Sequence, residues 1–320
     1  MKLARFALAA CAVLVSFGAV AQVYPDHPIR WVVNYPPGGT TDVVARGVAQ
    51  GVEQSLGVAI VVENRAGAGG RIGMDVVAKA APDGYTFLVS DASIATAPSL
   101  YRSMPFDPVK DLQPVVLFVT VPHVIVANPA LPVRSVVDLV ALSKKDPGRL
   151  NFSSGGLGSP LHLAGEVFRA ATGVAWTHVP YKGASPAILA AVSGEADLAA
   201  PSAPAVLAQI DGNRLRALAV TSDKRLARLA DVPTMAELGH ADASVFGWVG
   251  LHAPAGTPKA AMDRMQSAVM QALKAPALQT RLQEQGADVV AGDADAYGKM
   301  VAAEMARWRQ VVQSAGITPE

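Results

Sequence analysis

Short β-branched runs alternating with helical patterns constrain this chain more than any other feature. Ile29–Asn34 is such a run. Thr41–Leu56 follows with helical spacing, and Val58–Glu63 is strand-like again. Ile72–Ala80 reads as a helix and Tyr85–Val89 as a strand. A second series starts with a strand at His123–Ala127, a helix at Ser135–Lys144 and a strand at Leu150–Ser153. It continues with a helix at Leu161–Ala171, a strand at Trp176–Pro180 and a helix at Pro186–Ser193. Strands at Asp197–Ala200 and Leu215–Ser222 close it. Long helical patterns return at Lys259–Lys274 and Asp293–Ala315, where Met262, Met265, Val269 and Leu273 keep one apolar face. This alternation predicts an α/β protein with mainly parallel sheets and helices on both faces.

The 320 residues suffice for two such domains. The order of elements predicts a first domain built from both ends, residues 22–123 and 228–320, with a second, 124–227, inserted. The crossings fall near Val121–Val124 and Thr221–Arg228.

Residues 1–21 are set apart. Lys2 and Arg5 precede an apolar run from Phe6 to Val20, and Ala19-Val20-Ala21 supplies small residues at the cleavage positions. This reads as a secretory signal peptide cut before Gln22, which predicts a periplasmic location. The run is shorter than the ~20 residues of a spanning helix. Leu8-Ala9-Ala10-Cys11 resembles a lipoprotein box, but the apolar run continues past Cys11, so lipidation is not expected. Cys11 is the sole cysteine, so the chain after Gln22 carries neither disulfide nor thiolate chemistry.

Of 27 Lys and Arg, Lys2 and Arg5 leave with the leader, so 25 basic residues face 26 acidic ones. That balance lacks the basic excess of a nucleic-acid binder. An anion would have to be held locally, not by a global positive field.

Three loops could do so. Asn34-Tyr35-Pro36-Pro37-Gly38-Gly39-Thr40-Thr41-Asp42 joins a strand to a helix; its glycines permit a tight turn, and Thr40 or Thr41 can cap the helix. Ser153-Ser154-Gly155-Gly156-Leu157-Gly158-Ser159-Pro160 has the same construction, with Ser159 suited to the cap and Pro160 to the first helical position. In Pro180-Tyr181-Lys182-Gly183-Ala184-Ser185-Pro186, Ser185 and Pro186 fit a helix start, and Lys182 suits either the surface or a site. A helix start offers unpaired N–H groups and the positive end of a dipole. In open α/β sheets ligands bind at the carboxyl ends of strands. Two such ends facing each other make a cleft with N–H donors on both walls, which suits a dicarboxylate or an amino acid. Each loop alone is equally explained as a glycine-rich turn before a capped helix.

Further motifs add to these loops. Tyr24-Pro25 with Pro28-Ile29-Arg30, Pro36-Pro37-Gly38-Gly39 with Asp42 and Ala45-Arg46, and Val62-Glu63-Asn64-Arg65 occur in order. Gly67-Ala68-Gly69-Gly70 with Gly73, Pro82-Asp83-Gly84-Tyr85-Thr86, Pro180-Tyr181-Lys182-Gly183, and Trp248 with Ala253-Pro254-Ala255-Gly256-Thr257-Pro258 follow. In these motifs the sequence resembles the Bug family, the extracytoplasmic receptors of tripartite tricarboxylate transporters, over nearly the whole chain after the leader. The resemblance implies a two-domain periplasmic-binding-protein (Venus flytrap) fold that closes on a hinge. It implies a small carboxylate held by backbone N–H groups and ordered water, and membrane permease subunits as partners. No catalysis, cofactor, metal or nucleic acid is expected, and the chain is expected to be a monomer. The ligand set the resemblance points to is Tyr35, Pro37, Gly38, Gly39, Thr40 and Asp42, then Ser90 and Ser93, then Ser154, Gly155, Gly158, Ser159 and His162, and finally Tyr181, Lys182 and Gly183. Relatives often carry His and Asn where Ile94 and Ala97 stand here, which implies a less polar cleft on that side. Di- or tricarboxylates, acidic amino acids and aromatic acids all remain candidates.

Other readings are weaker. Ser159, His162, His178 and Asp197 can be cast as a hydrolase triad, but Ser159 is better explained as a cap. Gly67-Ala68-Gly69-Gly70-Arg71-Ile72-Gly73 is one residue too long for a dinucleotide fingerprint. Asp42, Asp91 and Glu63 lack metal-ligand spacing. A receptor that presents its ligand to a membrane sensor would share every feature above.

Overall fold

The computed structural model describes residues 24–243 and 245–314. The expected signal peptide at 1–21 and the Cys11 box lie outside them. Strands β1 (Ile29–Val33), β2 (Ile60–Asn64), β3 (Thr86–Ser90) and β4 (Leu112–Pro122) come first. Then follow β5 (Val124–Ala127), β6 (Asn151–Ser154), β7 (Thr177–Pro180), β8 (Leu198–Ala199) and β9 (Arg216–Val220). The chain returns with β10 (Phe246–Pro254) and β11 (Asp288–Gly292). One sheet has the order β11-β4-β10-β3-β1-β2, the other β7-β6-β8-β5-β9.

Both sheets are mixed rather than mainly parallel. β1 runs parallel to β2 and β3, and β6 to β7 and β8. β4, β5, β9 and β10, which carry the chain between the lobes, are antiparallel to their neighbours in the sheets. A strand arriving from the other lobe enters its sheet from the end opposite to strands returned by a helix.

Each sheet is buried on both faces. In β1, Ile29, Trp31 and Val33 point into one core while Val32 points into another. In β5, Ile125 and Ala127 face one side and Val124 and Val126 the other. This is the period-two alternation of a strand. Every fully buried Val, Ile or Phe contributes roughly 1.5–3 kcal/mol. Leu229, Met235 and Ala243 pack into the cores of the second sheet, beyond the expected boundary at residue 227.

His123 alone separates β4 from β5. Its N–H donates to Thr221 Oγ1 at 2.8 Å, and the Thr221 N–H donates to the His123 carbonyl at 3.0 Å. Thr221 Oγ1 also donates to the Val245 carbonyl at 2.6 Å. The two crossings are thereby tied side by side.

Candidate functional site

The carboxyl ends of β1 and β3 meet those of β6, β7 and β8 across the gap between the lobes. Thr40 Oγ1 hydrogen-bonds Ser202 Oγ. Thr96 Oγ1 donates to the Gly158 carbonyl at 3.0 Å, and Tyr101 OH to the Leu157 carbonyl at 3.3 Å. Ser185 Oγ donates to the Pro37 carbonyl at 3.0 Å. The lobes are therefore in contact.

Between them lies an inner cavity of about 30 Å³, lined by Tyr35, Gly39, Thr40, Thr41, Asp91, Gly155, Ser159, Pro160, Leu161, Ala184 and Ser202. Four helices start at this wall: Thr40–Leu56, Pro160–Thr172, Ala184–Ser193 and Ala203–Asp211. The first N–H groups of a helix have no intrahelical acceptor, and its dipole stabilises an anion by typically 0.3–1 kcal/mol per helix. The inner volume suits about one or two waters. A larger outer cavity of about 260 Å³ adjoins it, sharing Tyr35 and Gly155 and adding Gly69, Tyr101, Gly156, Leu157, His178, Tyr181, Lys182 and Gly183 among others.

The local sequence explains the helix starts, with two corrections. Ser159 caps its helix as expected: its Oγ accepts the His162 N–H at 3.3 Å, with Pro160 in the first turn. Gly39, not Thr40 or Thr41, is the cap of the first helix, in ordinary extended backbone at φ −79. Both threonines thus turn their hydroxyls outward, to Ser202 and to Asp91 Oδ2. Gly183, not Ser185, caps the third-loop helix at φ +121, which a glycine tolerates best. Ser185 is freed to reach Pro37.

The structure brings Tyr35, Gly39, Thr40, Gly155 and Ser159 to the inner cavity and Tyr181, Lys182 and Gly183 to the outer one. The remaining candidates line neither. Pro37 and Gly38 form the exposed turn, with Gly38 at φ +82. Asp42 turns back onto its own loop. It accepts from the Gly38 N–H at 3.0 Å, Arg46 Nε at 2.9 Å and Asn64 Nδ2 at 3.0 Å. Burial opposes its ionisation, but these donors, with Arg46 foremost, win and hold the carboxyl below its usual range. Ser90 Oγ pairs with His252 Nδ1 at 3.2 Å, and Ser93 Oγ accepts from Asn34 Nδ2 at 3.1 Å. Ser154 Oγ pairs with His178 Nε2 at 2.6 Å. Gly158 packs against Leu100, and its N–H donates to His162 Nδ1 at 3.2 Å. The His162 ring stacks on His178, centroids 4.3 Å apart. Burial, reinforced by His178, lowers the His162 pKa to about 3. Ile94 is buried in the first-lobe core cluster that also holds Met74, and it lines neither cavity.

The residues cast as a triad do not assemble. Ser159 is occupied with the His162 N–H, His178 with Ser154, and Asp197 Oδ2 with the Asn151 N–H at 2.8 Å. Among the described residues no cluster of three or more potential metal ligands occurs. No helix among them is long and apolar enough to cross a membrane.

Residues 44–317 match the family model described as the tripartite tricarboxylate transporter family receptor. The chain belongs to that family. It is 41% identical over 298 residues to the protein BugT of Bordetella pertussis, covering 92% of this chain and 91% of BugT. Its fold superposes on the periplasmic binding protein BugD with a TM-score of 0.89 at 36% identity, over 93% of this chain and 100% of BugD. It superposes equally well, at 35% identity and the same coverage, on the R. palustris protein Rpa4515 with adipate. This chain is thus a solute-binding receptor of the tripartite tricarboxylate type, with two lobes of α/β structure.

The inner wall also takes in Thr41, Asp91, Pro160, Leu161, Ala184 and Ser202, none of which is in the ligand set expected from the sequence. Ser202 had a legible signal. Pro201-Ser202-Ala203-Pro204 after a strand repeats the cap-and-proline grammar of Ser159-Pro160. Asp91 follows directly on β3, at a strand's carboxyl end, but a lone acid there is indistinguishable by sequence from a turn residue.

Proposed function

We propose that this receptor captures a small organic carboxylate between its lobes and delivers it to the membrane permease subunits of a tripartite transporter. The observation that carries the reading is the convergence of four helix starts, from both lobes, on one cavity. An anion there touches both lobes at once. It binds the closed arrangement more tightly than an open one, and that difference alone drives closure. N–H donors to a carboxylate make hydrogen bonds roughly twice as strong as neutral ones. Adipate in a structural neighbour that is 35% identical supports a ligand with two carboxylates. The second would point past Tyr35 into the outer cavity, where Lys182 stands on the rim. The leader at residues 1–21 supports delivery to the periplasm, where such a receptor meets its permease.

Calorimetric titration and thermal shift of the purified chain against mono-, di- and tricarboxylates test this. A true ligand raises the melting temperature with concentration, by an amount equivalent to about 2.7 kcal/mol at a hundredfold excess over Kd. Tight binding of a neutral solute, with every acid inert, would overturn the reading.

A further inference from the structure

Asp91 sets an anion inside a cavity built for anions. Its residue is 7% exposed, and it lines the inner cavity with Gly39, Thr41, Ser159 and Ser202. The groups that hold it are neutral: the Ser93 N–H reaches Oδ1 at 3.0 Å and the Thr41 hydroxyl reaches Oδ2 at 3.4 Å. No ion pair among the described residues includes it. Arg46 is committed to Asp42 and Asn64. Burial raises the Asp91 pKa to about 6 against these hydrogen bonds, so the carboxyl is mostly ionised at neutral pH.

Two carboxylates facing each other in such a space repel strongly, because little water screens them. The helix starts can satisfy the ligand's carboxylate, whereas Asp91 has only the Ser93 N–H at the start of its own short helix and the Thr41 hydroxyl, and no cationic side chain among the described residues pairs with it. A cation on the ligand would. We propose that Asp91 receives a protonated amine, so that the solute is an amino-bearing carboxylate rather than a plain di- or tricarboxylate. This rests on the carboxylate reading above and narrows it. In the bound complex, with the lobes parted enough to admit a head group larger than the one or two waters this cavity holds, the ammonium lies against Asp91 Oδ2, whose existing bond to Thr41 is long, while the carboxylate lies at the starts of the Thr40–Leu56 and Pro160–Thr172 helices. Each charge of a zwitterion then meets its complement, and the cavity keeps no unpaired anion.

A purely local role for Asp91, closing the turn before helix Ser93–Leu100, needs only a hydrogen-bond acceptor at Oδ1. Asn supplies that acceptor without the charge, so Asp91→Asn separates the two roles. The test is calorimetric titration of the full-length mature chain with matched acids: L-aspartate, L-malate and succinate, then L-glutamate, L-2-hydroxyglutarate and glutarate. The best-binding acid of the wider panel is likewise compared with its amine-bearing and amine-free counterparts. The amine-bearing member is expected to bind at least tenfold tighter than its hydroxy and unsubstituted partners. Asp91→Asn is expected to weaken it by tenfold or more and to improve the amine-free acids. Equal binding of the amine-free acids to the wild type overturns the inference and leaves the carboxylate reading standing. So does a ratio unchanged by Asp91→Asn. If Asp91→Asn fails to fold, the wild-type ratio decides alone. If no acid of any kind binds, both readings fall together.

Discussion

Thr40 Oγ1 and Ser202 Oγ share a hydrogen bond across the cleft, and each residue stands at the start of a helix from a different lobe. The pair acts as a latch on the closed arrangement. A hydrogen bond of this kind contributes about 1 kcal/mol net. Thr40→Val and Ser202→Ala are each expected to weaken ligand affinity about fivefold while leaving the melting temperature of the free protein nearly unchanged. Because both residues also line the cavity, the decisive quantity is the double-mutant coupling in binding free energy. It should lie near 0.5–1.5 kcal/mol. A coupling of zero would mean that the two hydroxyls act separately.

Asp42 supports the site from behind. Its carboxylate fixes the Gly38 N–H, Arg46 and Asn64 at once, and Asn64 Nδ2 also donates to the Tyr35 carbonyl at 2.9 Å. Removing the acceptor orphans a partly buried turn. Asp42→Ala is expected to destabilise the free protein by about 1–3 kcal/mol, read by urea denaturation. Its depressed pKa contributes stability above the unfolded value near 3.9 that is lost as pH falls through the folded one. The difference between wild type and Asp42→Ala should therefore shrink below about pH 4. A constant difference down to pH 2.5 would count against the ionised carboxylate as the cause.

Three of the four site helices were legible because their periodicity is local, although two of their caps, Gly39 and Gly183, lie one or two residues before the expected ones; the fourth, Ala203–Asp211, was not. Ser159-Pro160 and the apolar face of Lys259–Leu273 need no tertiary information. The sheet mixture was not legible, because β4 and β10 are defined by their partners across the hinge. Leu112–Pro122 holds Gln113 and Pro114 within an apolar run that gives no direction of pairing. The roles of Asp42 and Asp91 were not legible either. Both are acids beside a strand-to-helix turn, and only the positions of Arg46, Asn64 and the cavity distinguish a brace from a wall residue. Ile94 shows the converse. A departure from the family pattern reads as a change in the cleft, yet the side chain packs into the core.

Three buried histidines are expected to make the fold acid-sensitive in a range where few carboxylates titrate. Burial lowers His123 to about 4, although the Ala200 carbonyl opposes it, and lowers His162 and His252 to about 3. The unfolded chain protonates each near 6.5, so the stability they contribute is present above that pH and is lost as pH falls. Asp91 works in the opposite sense. Its raised pKa means that the native state takes up a proton near pH 6 that the unfolded state takes up only near 4. Between pH 6 and 4 the balance is about two net protons, or about 2.7 kcal/mol per pH unit. Urea midpoints should drop steadily from pH 6.5 to 5. Flat midpoints across that interval would show that the histidines protonate within the fold.

Gly183 decides whether the lobes can meet. Its φ of +121 already disfavours a side chain, and a Cβ there would lie 2.5 Å from Cδ of Pro36 in the other lobe. That distance is impossible without movement, and the proline ring is rigid. Gly39 is the opposite case. Its backbone is ordinary, and a Cβ would meet Ala184 at 3.8 Å, a normal contact. Gly183→Ala is therefore expected to lower the melting temperature of the free protein by a few degrees, from about 1–2 kcal/mol of backbone strain. It should also cut ligand affinity by more than tenfold, because the Pro36 contact belongs to the closed arrangement alone. Small-angle scattering with saturating ligand should find this variant more extended than the wild type. Gly39→Ala, measured alongside, should keep both stability and closure. If the two variants close equally well, the ligand-bound lobes do not meet at Pro36 and Gly183.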